Sequence, residues 1–165
     1  MAIDRSVNAP SVCPDLITKA VYFMGSDEVK EGEPFVYTVA DGTATEYNGL
    51  RHNQVERPKA ANGVFAGVAT RTYPAAEPGN GRLIEIAMPG SRGVRIRLAA
   101  GGTMGNVVQF AFKASDGGKT FKAAGTPHTL AQLVIGDAVL RQTTTAAGLC
   151  QADLADGPLA PGVSE

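Results

Sequence analysis

Apolar and polar positions alternate over short distances along this chain, and the pattern is clearest between residues 63 and 98. Val94-Arg95-Ile96-Arg97-Leu98 alternates strictly, which predicts a strand with Val94, Ile96 and Leu98 on a core and Arg95 and Arg97 facing outward. Leu83-Ile84-Glu85-Ile86-Ala87-Met88 precedes it, and Pro89-Gly90-Ser91-Arg92-Gly93 between them reads as a turn, so the pair is expected to form a hairpin. Gly63-Val64-Phe65-Ala66-Gly67-Val68-Ala69 is apolar on both faces and predicts a central strand, with glycines where a neighbouring backbone can approach closely.

The rest of the chain repeats the theme in shorter pieces. Residues 15–24 are rich in β-branched and aromatic side chains and predict the first strand. Glu31-Gly32-Glu33-Pro34 makes a turn into a strand over 35–40, and Asp41-Gly42 signals a hairpin whose return strand is 43–47. Residues 48–62 are polar and read as a surface loop with at most one helical turn. Strands are expected over 107–113 and 120–122, joined by Asp116-Gly117-Gly118, and a closing pair over 138–142 and 148–154; 130–135 fits either a strand or a short helix. The sum is an all-β fold, an antiparallel barrel or sandwich of short strands. An extended N-terminal arm (1–14) precedes a single β-rich domain (15–155), and a flexible tail (156–165) follows. No internal repeat of useful length is legible.

Composition narrows the function classes. With 165 residues the chain needs neither metal nor disulfide to bury a core, and 20 Gly, 10 Pro and no Trp favour turns and strands. A net charge of -1 supplies no field to attract nucleic acid, so no direct nucleic-acid contact is expected. The first residues lack the pattern of a secretory signal and no apolar run reaches membrane-spanning length, so synthesis in a host cytoplasm and no membrane contact are expected. Cys13 and Cys150 are expected to be free thiols.

Candidate chemistry is sparse. Gly117-Gly118-Lys119-Thr120 ends like a phosphate-binding loop, but Lys113 stands where that motif needs its first glycine. His52 and His128 lack partners at metal-ligand spacing, and no Gly-x-Ser-x-Gly occurs. No catalytic, cofactor-binding or metal residue is assigned, no cofactor is expected, and the chain is read as a non-enzyme. Arg82, Arg92, Arg95 and Arg97 gather near the expected hairpin. They either meet an acidic surface of a partner or pair across the hairpin to Glu85.

In segment order the chain resembles the capsid decoration, or cement, proteins of tailed bacteriophages. The matching residues are Glu31-Gly32-Glu33-Pro34-Phe35-Val36 leading into Asp41-Gly42; Gly63-Val64-Phe65-Ala66-Gly67-Val68-Ala69; the segment around Met88-Pro89-Gly90; and Ile135-Gly136-Asp137-Ala138-Val139-Leu140. The chain departs from the simplest members by insertions over 48–62 and 70–81. The resemblance implies a β-rich, non-enzymatic virion protein on the outer capsid surface that binds major capsid protein and neighbouring copies as a trimer and stabilises the shell. Contact residues would then come from the arm (Arg5, Asn8, Pro10), the loops (Arg51, His52, Arg71, Tyr73) and the arginine strand (Arg95, Arg97). The alternatives are a carbohydrate-binding or host-adhesion module using Tyr47, His52, Arg71 and Tyr73, and a small hydrolase with two facing carboxylates.

Overall fold

The computed structural model describes residues 15–37, 53–58, 65–79, 81–110, 118–123 and 138–155. The arm at 1–14, the Asp41-Gly42 hairpin with its return strand, the 130–135 segment and the tail lie outside the described residues. All regular structure among the described residues is strand. β1 (Thr18–Phe23), β2 (Pro34–Tyr37), β3 (Gln54–Glu56), β4 (Phe65–Ala69) and β5 (Arg82–Ala87) close into one barrel in the order β1-β3-β2-β4-β5. β6 (Val94–Leu98), β7 (Val107–Phe110), β8 (Phe121–Ala123), β9 (Ala138–Leu140) and β10 (Gly148–Leu154) close into a second, in the order β10-β6-β8-β7-β9.

The expected hairpin between β5 and β6 does not form. β5 pairs with β1 and β4, and β6 pairs with β10 and β8, so Pro89-Gly90 begins a crossover from one barrel to the next. Ser91, fully buried, fixes that crossover: its hydroxyl accepts from the Ile17 N–H at 3.0 Å and donates to the Ile17 carbonyl at 3.2 Å. The Ser91 carbonyl accepts from the Leu154 N–H at 2.9 Å, and the Leu154 carbonyl from the Gly90 N–H at 3.2 Å. The polar stretch read as a loop likewise contains a strand, β3, because Val55 between Gln54 and Glu56 is drawn wholly into the first barrel.

β4 is buried at every position, as its two apolar faces predict. Ala66 and Ala69 belong to the first barrel's own core with Val21, Phe23, Phe35, Val55, Ile84 and Ile86. Phe65 and Val68 join a cluster shared with the second barrel, where the Phe65 and Phe121 rings meet edge to face, centroids 6.3 Å apart. Gly67 lets this double packing happen: its φ is +148°, and a Cβ there would lie 2.2 Å from the Ala87 carbonyl oxygen. In the second barrel, Cys150 is a free thiol, buried; burial raises its pKa, against which a hydrogen bond to the Gln142 carbonyl acts.

The two barrels are the same structure built twice. Counting strands from β6, the second ring is again first-third-second-fourth-fifth, and in both rings the first and third strands alone run parallel. The register agrees around the whole circuit. Phe23 opposite Val55 corresponds to Leu98 opposite Phe121, Tyr22 opposite Leu83 to Arg97 opposite Leu149, and Ala20 opposite Glu85 to Arg95 opposite Gln151. The isolated bridge Val29–Tyr73 corresponds to Gly102–Thr144. The turn before the second strand repeats bond for bond. Glu33 N–H to Lys30 carbonyl (3.2 Å) matches Asn106 to Thr103 (3.0 Å), and Gly32 to Ala69 (2.9 Å) matches Gly105 to Leu140 (2.8 Å). Gly32 and Gly105 have φ of +81° and +87°.

Candidate interaction surface

The junction between the barrels holds most of the paired charge among the described residues. Arg57 follows β3 and is buried, its guanidinium over the Phe23 ring, 5.2 Å from the centroid. Its Nε and Nη2 both donate to Glu33 Oε2, at 3.2 and 2.9 Å, and it also bonds Asp27 and the Glu28 carbonyl. Glu33 is fully buried, so this guanidinium supplies the charge compensation its carboxylate requires. Arg82 lies 5.8 Å from the Phe23 centroid and donates to the Asp27 carbonyl. Burial alone would raise the Asp27 pKa; the Arg57 charge, hydrogen bonds to its own backbone and to Arg57, and the Lys119 charge together leave it lowered.

Two ion pairs join the barrels across this junction, Arg95–Glu31 at 3.3 Å and Lys119–Asp27 at 4.0 Å. The turn at 30–32 rests directly on the second barrel: the Gly32 carbonyl accepts from the Arg97 N–H at 2.9 Å. A Cβ on Gly32 would fall 2.8 Å from Arg97 N and 2.9 Å from Leu149 Cδ2. Beside the turn opens a cleft of about 370 Å³ lined by Asp27, Glu28, Lys30, Glu33, Arg97, Lys119 and Thr120. Gly118, whose φ of +74° fits the expected turn, packs against Pro58, and Lys119 serves the junction rather than a phosphate.

The sequence-derived contact residues scatter. Arg95 is exposed and Arg97 half-buried in the cleft wall, as alternation predicts. Neither meets Glu85, which lies on β5 opposite Ala20 and accepts from the Thr70 hydroxyl at 2.9 Å, so the expected cross-hairpin pairing is replaced by Arg95–Glu31. Arg71 and Tyr73 come together at one end of the first barrel. The Arg71 guanidinium stands 5.0 Å from the Tyr73 centroid, and the tyrosine hydroxyl accepts from the Glu85 N–H at 2.6 Å. That ring packs against the first core, and its hydrogen bond with Arg71 raises the arginine's pKa further. Arg5, Asn8, Pro10, Tyr47, Arg51 and His52 lie outside the described residues.

Sequence reasoning missed three features here. Arg57, Glu33 and Asp27 read as solvated charges in polar segments, and only the pairing of three separate segments assembles them. An apolar face on β1 and β5 also went unread. Leu83 is 68 % exposed, Met24 49 % and Tyr22 37 %, on strands whose alternation directs Val21, Phe23, Ile84 and Ile86 inward. Met104, in the turn of the second barrel, is 64 % exposed. No group of three or more His, Cys, Asp or Glu among the described residues could hold a metal ion.

No protein-family model and no curated protein matches the sequence. The fold is similar to that of the head fiber gp8.5 N base of bacteriophage phi29, with a TM-score of 0.53 at 11 % identity, covering 87 % of this chain and 98 % of that one. At that identity the likeness is one of fold.

Proposed function

We propose that this chain is a non-enzymatic structural protein of a phage virion, placed on the outer surface of the head. There it binds major capsid protein and neighbouring copies of itself, as a trimer, and cements the shell. The observation that carries this reading is the fold it shares, over nearly the whole of both chains, with the base of a phage head fiber. The physical logic agrees with it. A surface protein that bridges several shell subunits gains by summing weak contacts, and a nearly neutral chain of two rigid, closed barrels can present several such contacts at fixed spacing.

The same observation favours a second reading, in which the chain is the base from which a longer head appendage projects. Both are tested by mixing the purified chain with mature heads emptied of DNA, pelleting the heads, and heating them. Binding with a rise in the temperature of head disruption supports cementing. Binding without that rise supports the appendage base, and absence from the pellet at saturating chain overturns the head-surface reading altogether.

A further inference from the structure

Within one molecule, the first barrel docks on the second through the shared apolar cluster and, beside it, through a turn resting on a face. The turn is 30–32; the face is formed by Arg95, Arg97 and Leu149 on β6 and β10, with Glu31 reaching Arg95. Because the barrels repeat each other in register, both halves of this contact exist a second time. The equivalent turn is 103–105 in the second barrel, and among the described residues nothing covers it: a Cβ on Gly105 would meet none of their atoms within 4 Å, and Met104, in the place of Glu31, is exposed. The equivalent face is Ala20, Tyr22 and Leu83 in the first barrel, with Tyr22 and Leu83 exposed and Glu85 opposite Ala20 where the internal face has Gln151.

We propose that the 103–105 turn of one copy packs on the β1–β5 face of a second copy, repeating between molecules the head-to-tail contact that joins the barrels within one. The side chains are matched for it. Inside the molecule a charged turn residue meets a charged face residue, Glu31 with Arg95. Between molecules the corresponding pair is Met104 with Ala20, apolar on both sides, flanked by Leu83 where the internal contact has Leu149. One element of the internal contact does not repeat. The Tyr22 N–H, equivalent to that of Arg97, already donates to the Asn53 carbonyl at 2.8 Å, so the contact between copies rests on side chains. A turn-to-face contact of this kind uses two different surfaces of each molecule, so it closes into a ring of copies or propagates as a filament.

This inference rests on the self-association part of the proposed function and is independent of head binding. Its test is the solution mass of the full chain by light scattering, for the natural sequence, Leu83→Glu, Met104→Glu, and the double variants Leu83→Lys/Met104→Glu and Leu83→Glu/Met104→Glu. Both altered side chains are exposed, so each variant should keep its far-UV circular dichroism and, at concentrations where the natural chain is itself monomeric, its thermal midpoint. The expected result is an oligomer that each single change weakens about a hundredfold or more, restored by the Lys/Glu pair and not by the Glu/Glu pair. A natural chain that stays monomeric at about 100 μM, or an oligomer indifferent to both single changes, would overturn the proposal. Pelleting with heads, scored on the same variants, separates this outcome from the head-surface reading: a monomer that still pellets refutes the contact alone.

Discussion

Arg57 places two of its nitrogens on a single oxygen of Glu33, at 3.2 and 2.9 Å, with both side chains withdrawn from water. Removing the cation leaves a buried carboxylate without compensation. Arg57→Ala should therefore lower stability by about 3–5 kcal/mol, read as a shift of the urea midpoint at unchanged slope. Replacing both residues by apolar ones of similar size, Arg57→Met with Glu33→Leu, should recover much of that loss, because the penalty belongs to the unpaired charge.

Asp27, the exposed partner of the same guanidinium, makes the junction sensitive to acid. Its folded-state pKa is held below the ordinary 3.8, so its contribution is complete above that value and is lost as pH falls through the folded one. Its side chain is 59 % exposed, which keeps the effect below about 1 kcal/mol. In urea titrations at neutral pH the natural chain should be more stable than Asp27→Asn. The gap should close as pH falls below the ordinary 3.8 and through the lowered folded-state pKa, and shrink in 1 M salt. A gap that widens in acid would contradict the assignment.

Gly67 should tolerate no side chain. Gly67→Ala combines a positive φ with a Cβ 2.2 Å from a backbone oxygen, and should cost about 3 kcal/mol or more, lowering the thermal midpoint by roughly 10 °C. Gly79→Ala is the control, since its φ of +82° carries strain but open space surrounds it, and about 1 kcal/mol is expected.

The strands that could be read from the sequence are those with one face on a core and one in water. β6 is the clearest, its Val94, Ile96 and Leu98 buried and Arg95 exposed as alternation demands. β4 was legible for the opposite reason, being apolar on both faces because it has a core on each side. The pairing of β5 with β6 was misread because a proline-glycine turn between two alternating segments suits a crossover as well as a hairpin, and hydrogen-bond partners are settled by the whole barrel. The internal repeat left almost no trace, since its equivalent positions conserve direction rather than identity. Phe23 corresponds to Leu98, Ile84 to Cys150 and Tyr22 to Arg97, with Gly32–Gly105 and Leu83–Leu149 among the few matches. Arg57 was illegible for a simpler reason: among Glu56, Pro58 and Lys59 it looks like any solvated charge.

The Phe65–Phe121 contact should make the two folded barrels unfold as one cooperative unit. Phe121→Ala removes a wholly buried ring from the shared cluster and should cost about 3–5 kcal/mol. Hydrogen exchange should show amides of β1 and of β10 losing protection together. Loss confined to the second barrel would mean that the shared cluster does not couple them.

The lock at Ser91 has a consequence for a chain emerging from the ribosome. Every strand of the first barrel lies within residues 18–87 and every strand of the second within 94–154, so each can close without borrowing from the other, the first ahead of the second. Ser91, however, is gripped by Ile17 from before the first barrel and by Leu154 at the end of the last strand. Until the second barrel closes, a finished first barrel in a nascent chain lacks the second-barrel side of the cluster that Phe65 and Val68 join. Between the emergence of residue 87 and that of residue 154 from the ribosome, the chain should therefore carry an apolar surface that its other half has yet to cover.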